Sequence, residues 1–247
     1  MSDVDLIIAV LILLAAALYS SVGHAGASGY LAVMALFGLT PEVMRPSALA
    51  LNILVALLGV WRYTRAGQND LRLLAPFAAA SVPAAFLGGM IEVSPSIYRP
   101  LVGAILLVSA LQFVRTARKA EQADKQVRRP GIALALSAGA VLGLLSGLTG
   151  TGGGIFLSPL LLFMGWAATR EVSGVAATFI LLNSAAGLAG TTFSIGALPA
   201  ALPLWAVAAL AGGLIGTRLG TRTLPVPGLR YALSMVLVIA GGKMILS

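Results

Sequence analysis

Long apolar runs separated by short polar breaks make up most of this chain. A transmembrane helix needs about 20 apolar residues, with a range of roughly 17–25. Six to eight of the runs are that long, whereas the runs at 29–39 and 155–166 are too short. Because an open chain satisfies its backbone polar groups in lipid only as helix, the long runs are predicted to be helical. The ten runs are residues 4–22, 29–39, 46–61, 71–91, 97–114, 131–148, 155–166, 172–193, 199–217 and 227–246.

The two short runs belong to a pattern that occurs twice. In each half a long run leads into a Gly/Ser/Thr-rich break, a short run and then three long runs. The breaks are SSVGHAGASG at 20–29 and SGLTGTGGG at 146–154. After each short run a hydroxyl and an amide follow at equal spacing, Ser47 with Asn52 and Thr178 with Asn183. We interpret the pattern as an internal repeat; the alternative is two coincidental glycine clusters in a glycine-rich protein.

Basic residues cluster in three loops and predict how the chain is oriented. Lys and Arg are enriched in cytoplasmic loops, so all three loops are predicted to be cytoplasmic. Both termini then lie outside, and the two halves cross the membrane in opposite senses. Inverted-topology repeats of this kind are a feature of secondary transporters. The basic groups are Arg62, Arg65 and Arg72; Arg115, Arg118, Lys119, Lys125, Arg128 and Arg129; and Arg218, Arg222 and Arg230.

These patterns together predict a fold class and a division of the chain. We expect an all-α polytopic membrane protein of two inverted-topology repeats. Each repeat comprises a broken or re-entrant helix pair plus three transmembrane helices. The predicted units are a first transmembrane repeat at 1–114, a basic cytoplasmic linker at 115–130 and a second transmembrane repeat at 131–247.

Composition agrees with a membrane protein and removes several function classes. Hydrophobic residues make up 59% of the chain and charged residues only 10%, against roughly 25% charged in soluble domains. The net charge of +8 lies in loops, which favours contact with anionic lipid headgroups over nucleic acid. The absence of cysteine excludes disulfides and thiolate metal sites. The apolar run near the N-terminus follows Asp3 and Asp5 with no basic residue, so it is interpreted as part of the mature fold and not as a signal peptide.

The apolar runs offer little for catalysis or for metal binding. No acidic or basic residue lies near a predicted membrane midplane, and cation pumps and proton relays usually need one. No H-E-x-x-H, G-x-S-x-G or nucleotide-binding G-x-x-x-x-G-K-[ST] motif is present. We therefore expect a protein that is not an enzyme and that has no metal, no cofactor and no catalytic residue.

The two breaks are the most informative positions for binding. A helix that restarts inside a membrane protein exposes unpaired N–H groups at the positive end of its dipole, and these attract anions. Glycine permits close approach of a substrate to the backbone. Two short helices starting at Gly29 and Ile155 would place their positive ends at the same depth, beside hydroxyls and amides. The predicted substrate-binding residues are Ser28, Gly29, Asn52, Thr149, Gly150, Thr151, Gly152, Gly153, Gly154 and Asn183.

Several polar residues could serve either in transport or in the structure of the protein. His24 is the only histidine; it could couple proton movement to anion movement, or simply hydrogen bond to backbone at the interface. Ser47, Thr178 and Arg45 are secondary candidates for substrate contact. The two hydroxyls could instead bond back to their own helices, and Arg45 could set orientation or contact headgroups. Gly143, Gly147, Gly212 and Gly216 are predicted to serve close helix packing.

The segment GTGGGIFLSPLLLFMG at 150–165 resembles the glycine-rich motif of the TauE/SafE sulfite-exporter family. Residues 178–187 resemble the hydroxyl-and-amide stretch that follows it there, and residues 23–59 look like a degenerate first copy. The departures from the family pattern are concentrated at 24–29, where HAGASG replaces a cleaner glycine run. The resemblance covers the whole chain, including the basic linker.

The resemblance implies a permease of the bacterial or archaeal inner membrane for small sulfur-containing anions. Sulfite and organosulfonates such as sulfoacetate are the implied substrates, and export is the implied direction. We expect a secondary transporter working by alternating access, with membrane lipid and the anion as partners and protons as an optional coupling ion. A passive anion channel and a non-transporting membrane anchor subunit are the alternatives. The oligomeric state is not predicted.

Overall fold

Ten helices form the described part of this computed structural model, which covers residues 3–21, 23–118, 128–191, 198–220 and 227–246. No strand occurs in these ranges. The helices are α1 (Asp3–Ser21), α2 (Ala27–Leu36), α3 (Pro41–Arg65), α4 (Leu71–Met90), α5 (Pro95–Arg118), α6 (Ile132–Thr149), α7 (Gly154–Phe163), α8 (Thr169–Thr191), α9 (Leu202–Gly220) and α10 (Pro227–Leu246).

Seven of the described helices are long and apolar enough to cross a membrane. They are α1, α3, α4, α5, α6, α8 and α9. The helices α2 and α7 have 10 residues each, which at about 1.5 Å per residue gives only half the thickness of a bilayer core. The expectation of a polytopic, all-helical membrane protein is therefore confirmed.

The predicted boundaries differ from the helices by a few residues. The short helices begin at Ala27 and Gly154, not at Gly29 and Ile155, because the residues just before each start adopt a left-handed conformation and the first helical turn follows at once. Helix α5 continues to Arg118, into the predicted linker. Residues 1–2, 22, 119–127, 192–197, 221–226 and 247 lie outside the described part.

Glycines bring pairs of helices into backbone contact. A Cβ atom on Gly143 of α6 would overlap the backbone of Ser81 in α4, and one on Gly147 would overlap the carbonyl of Ala85. Helices α1 and α9 meet in the same way, at Gly212 and Gly216. Because the substituted chain would have to move its backbone, these glycines serve helix packing, as predicted.

Two apolar cores result, and they cut across the halves of the sequence. The larger core draws mainly on α1, α2, α3, α5, α9 and α10. The smaller core draws on α4, α6, α7 and α8, and within it the rings of Phe77 and Trp166 lie 6.1 Å apart between centroids and tilted by 45°. Helices from both halves therefore build each core.

Contacts between loops and helix ends define two ends of the helix bundle. At one end Arg129 forms a 3.2 Å ion pair with Asp70, which lies between α3 and α4. At the other end the indole of Trp205 donates to the backbone carbonyl of Asp5 near the start of α1. The ammonium group of Lys243 near the end of α10 donates to the carbonyl of Leu36. We call these the Asp70 end and the Trp205 end.

Candidate functional site

Each short helix begins at a glycine in the left-handed conformation. Gly26 precedes α2 with φ 113°, and Gly153 precedes α7 with φ 74°; neither makes a side-chain capping hydrogen bond. The first N–H groups of a helix have no partner within it. In both breaks the chain thus presents the positive end of a short helix with no side chain to neutralise it.

The local backbone of the first break recurs in the second. Positive φ angles occur at Gly23, Gly26 and Gly38, and again 127 residues later in each case. The recurring positions are Gly150, Gly153 and Gly165. Corresponding glycines also meet corresponding helices, because Gly23 lies against Ser173 at the start of α8 and Gly150 lies against Arg45 at the start of α3. Three pairs of glycines in the predicted internal repeat therefore share the same backbone conformation.

A buried polar cluster surrounds the second break. The amide nitrogen of Asn52 lies 3.4 Å from the carbonyl oxygen of Thr151 and 3.3 Å from the hydroxyl of Ser184. Gly152 fits between them, since a Cβ there would stand 2.6 Å from the Asn52 nitrogen and 2.9 Å from the Ser184 hydroxyl. Both hydrogen bonds are long, so the amide protons can be redirected towards a ligand at little cost.

Several buried polar side-chain atoms of α3, α6 and α8 have no hydrogen-bond partner within the part of the chain that the structure describes. They include the amide oxygens of Asn52 and Asn183 and the hydroxyls of Ser47 and Ser146, all on fully buried residues. Buried polar groups are normally paired, and exceptions often mark ligand or water sites. The nitrogen of Asn183 donates to the carbonyl of Phe179 in its own helix, 2.8 Å away.

Two threonines, Thr149 and Thr151, form hydrogen bonds at the end of α6, where the second break begins. The hydroxyl of Thr149 donates to the Leu145 carbonyl at 2.6 Å and lies 3.0 Å from the hydroxyl of Thr151. Both threonines are buried. Gly153 and Gly154 pack against Phe179 and Ile180 of α8, so the start of α7 faces that helix. The structure thus brings most of the predicted second-half site together around α3 and α8.

The first break is organised differently. The Ser28 hydroxyl donates to the Tyr19 hydroxyl at 2.9 Å, and the Tyr30 hydroxyl donates to the Ala25 carbonyl at 2.5 Å. Gly29 packs against Ala15 and Tyr19 of α1. The Ser28 and Tyr30 hydroxyls are thus already paired, and the Ser20 hydroxyl is a buried group of this break without a partner among the described residues.

His24 lies beside a small cavity between the first break and helices α3, α8 and α9. The cavity measures about 10 Å³, roughly the room needed for one water molecule. Polar groups come from His24, Ser20, Tyr63 and Thr217, and the rest of the lining consists of small apolar residues and glycine. One helical turn of α3 separates this lining, at Ala56, from Asn52.

Thr178 does not join the Asn52 cluster. Its hydroxyl donates to the Gly174 carbonyl at 3.1 Å and accepts from the Asn69 amide at 2.9 Å. Asn69 lies in the loop between α3 and α4, so this contact ties α8 to that loop. The back-bonding alternative considered for Thr178 is present, together with a loop contact that the sequence did not indicate.

Arg45 is buried, with 8% of its surface exposed, although it lies near the start of a helix. Its Nε donates to the carbonyl of Gly147 at 2.9 Å, and its Nη1 donates to that of Ile91 at 2.9 Å. Its Nη2 donates to the carbonyls of Gly88 and Gly89, both at 2.5 Å. The guanidinium group therefore contacts the ends of α4 and α6.

Sequence reasoning missed Ser184, Ser146 and Tyr98. Ser184 follows Asn183 directly, but a helix turns by about 100° per residue, and only the packed structure shows that Ser184 faces Asn52. Tyr98 donates from its hydroxyl to the Thr149 carbonyl at 3.0 Å. Nothing in the local sequence distinguishes that tyrosine from an interfacial one.

The fold and the breaks define a multi-pass membrane protein whose polar interior is built at two helix interruptions. The family model for the sulfite exporter TauE/SafE matches residues 8–244. The chain belongs to this family of membrane transporters, so the suspected family resemblance is confirmed.

Two curated relatives cover nearly the whole chain. One is "Probable membrane transporter protein y4hK" of Sinorhizobium fredii (strain NBRC 101917 / NGR234), 42% identical over 228 residues, with 92% of each chain covered. The other is "Probable membrane transporter protein YjnA" of Bacillus subtilis (strain 168), 25% identical over 244 residues, covering 93% of this chain and 95% of the relative. No solved structure matches. Both relatives are named as transporters, not as enzymes.

Proposed function

We propose that this protein is a secondary transporter of small oxyanions, with sulfite or an organosulfonate such as sulfoacetate as its substrate and export as its direction. The family description supports the substrate class. In this proposal the protein is embedded in the inner membrane of a bacterium or archaeon, with both termini outside.

The observation that carries the proposal is the uncharged polar cluster at the start of α7. Gly152 and Gly153 present backbone at the positive end of a short helix, and the Asn52 amide and Ser184 hydroxyl lie beside it. An anion that displaced the two long Asn52 contacts would gain amide, hydroxyl and backbone donors together. The Ser146 side chain lies against Gly153, and its unpaired hydroxyl adds a further donor beside the break.

The amide oxygens of Asn52 and Asn183 place a limit on the ligand. An oxygen acceptor repels a fully ionised oxyanion, so each needs a water or a protonated ligand oxygen beside it. Among the described residues, the hydrogen bonds of the Asn52 amide involve no cationic side chain.

Two inverted repeats working by alternating access account for the arrangement of the helices. At the Trp205 end the start of α1 meets the start of α9, whereas α6 starts at the Asp70 end, next to Arg129. Corresponding long helices thus start at opposite ends of the bundle. The backbone repeat at 127 residues and the equivalent pairs α1–α9 and α6–α4 support the same reading.

The membrane potential is sufficient to drive export. Moving one negative charge outward gains about 2.3 kcal/mol per 100 mV. Coupling to protons through His24 is the second component of the proposal, supported by the position of that residue beside the small cavity. The cavity lies one turn from Asn52 along α3, towards the Asp70 end.

Flux into liposomes containing the purified protein tests the proposal. Sulfite, sulfate, sulfoacetate, taurine and small carboxylates should be compared at several concentrations. We expect saturable flux of sulfite or sulfoacetate, and weak flux of sulfate and taurine. Flux that does not saturate with anion concentration would indicate a passive channel and contradict the proposed transporter. No flux of any anion, from protein that is correctly inserted, would reject anion transport.

A further inference from the structure

Arg45 lies between the polar cluster and the nearest end of the bundle. It precedes Asn52 by seven residues of the same helix, so it lies about 10 Å closer to the Trp205 end. Its backbone and Cγ contact Gly150, the first residue after α6. A path from the cluster towards that end would pass the Arg45 side chain.

The bonds made by Arg45 explain why it is not a free anion ligand. The last four carbonyls of a helix have no partner within the helix and carry its negative dipole end. Gly88 and Gly89 lie in the last turn of α4, Ile91 follows it, and Gly147 lies in the last turn of α6. Four guanidinium hydrogen bonds therefore cap two helices from a third.

Tyr98 supports the same junction from a fourth helix. It lies in the first turns of α5, is fully buried and donates to the Thr149 carbonyl at the end of α6. Arg45 and Tyr98 together hold the end of α6 immediately before the second break. We call Arg45, Tyr98 and the carbonyls they contact the Arg45 junction.

We infer that Arg45 is a positioning residue that closes the anion site at the Trp205 end, and that access from that end requires the Arg45 junction to separate. This rests on the proposed anion site at the Asn52 cluster. A guanidinium released from backbone carbonyls needs water as its new partner, so separation and hydration occur together.

Thiol labelling tests this without any transport measurement. The chain has no cysteine, so Ser146→Cys introduces a single thiol of nearly the same size at a fully buried position beside the second break. A membrane-impermeant maleimide is added to right-side-out and to inverted vesicles. The labelling rate is then compared with and without Arg45→Gln.

We expect Arg45→Gln to raise the labelling rate at least about tenfold from the Trp205 end only, because hydrogen bonds to a charged group are lost. The matched control is Arg62→Gln, which removes one positive charge from the other end of α3, where the Arg62 side chain donates an exposed hydrogen bond to the Leu214 carbonyl. That control should label like the parent.

An unchanged labelling rate would overturn the inference. An equal rise in labelling from both ends would also overturn it, because that result indicates a general loosening of the helix packing. Should Arg45→Gln fail to insert, Tyr98→Phe removes one hydroxyl from the same junction and is judged by the same criteria. The result is independent of substrate identity. Failed anion flux with one-sided labelling would therefore reject the proposed function and leave the Arg45 junction standing.

Discussion

At the scale of single residues, Gly152 is the position where backbone conformation and available space coincide. Its φ of 75° already disfavours any side chain, and its ideal Cβ position lies 2.6 Å from the Asn52 nitrogen. Gly165 has φ 66° with nothing within 4 Å of its ideal Cβ position. Substitutions at these two glycines therefore distinguish the effect of backbone strain alone from the effect of a side chain that intrudes on the Asn52 cluster.

Gly152→Ala should reduce anion flux at least about tenfold, because overpacking of roughly 1–3 kcal/mol is added to the strain. Gly165→Ala carries a similar strain of about 1–2 kcal/mol and should retain flux. Flux in liposomes, normalised to inserted protein, measures both. Equal flux from the two variants would show that the Asn52 cluster is not needed for transport.

His24→Gln should flatten the pH dependence of flux. Histidine changes charge between about pH 5 and 8, and glutamine preserves much of its size and hydrogen bonding without titrating. The measurement is the initial rate of flux across that pH range, with the potential clamped. Superimposable profiles for the variant and the parent would remove His24 from coupling and leave it a structural residue beside the cavity.

At the scale of helices, the short elements and their glycine contacts decide the geometry. The pairs α4–α6 and α1–α9 are in backbone contact, which makes each pair stiff. The α2 and α7 starts lie close to these pairs, as Gly29 packs on α1 and Gly153 approaches the Leu142 carbonyl of α6. Movement of the breaks is therefore expected to follow the helix pairs.

Gly143→Val should destabilise the protein by at least about 1–3 kcal/mol, because valine has to displace the backbone of α4. The control Gly131→Val lies in extended backbone before α6, with nothing within 4 Å of its ideal Cβ position. Thermal unfolding in detergent compares the two. A melting temperature for Gly143→Val equal to that of the control would contradict the packing assignment.

At the scale of the whole molecule, the two apolar cores do not coincide with the two sequence repeats. Helix α4 of the first half belongs to the core with α6, α7 and α8, while α9 and α10 join the core of α1 and α2. Bodies that move during alternating access are therefore expected to contain helices from both halves. The predicted units at 1–114 and 131–247 describe sequence repeats and remain a prediction.

Inverted topology predicts that both chain ends are labelled from the outside. Asp3→Cys and Ser247→Cys, made singly in this cysteine-free chain, should react with an impermeant reagent added to intact cells. Ala66→Cys, exposed between α3 and α4, should react only after permeabilisation. Labelling of one end alone would refute the inverted arrangement.

Much of the architecture follows from the sequence because it depends on local properties. Hydrophobic length determines which segments can cross lipid, and glycine clusters determine where a helix can stop. The runs, the two short helices and the packing glycines at Gly143 and Gly212 were all predictable for this reason, whereas the internal repeat stays a prediction. The family is likewise recognisable from the segment at 150–165.

The tertiary structure alone decides which distant groups meet. Ser184 faces Asn52 only because α8 packs on α3 with a particular rotation, and that rotation depends on many weak contacts spread along both helices. Arg45 looks in the sequence like a residue at a membrane surface, yet the unpaired carbonyls of α4 and α6 draw it inwards. Every residue has a backbone carbonyl. The sequence therefore gives no indication of which carbonyls remain without a hydrogen-bond partner once the helices have formed.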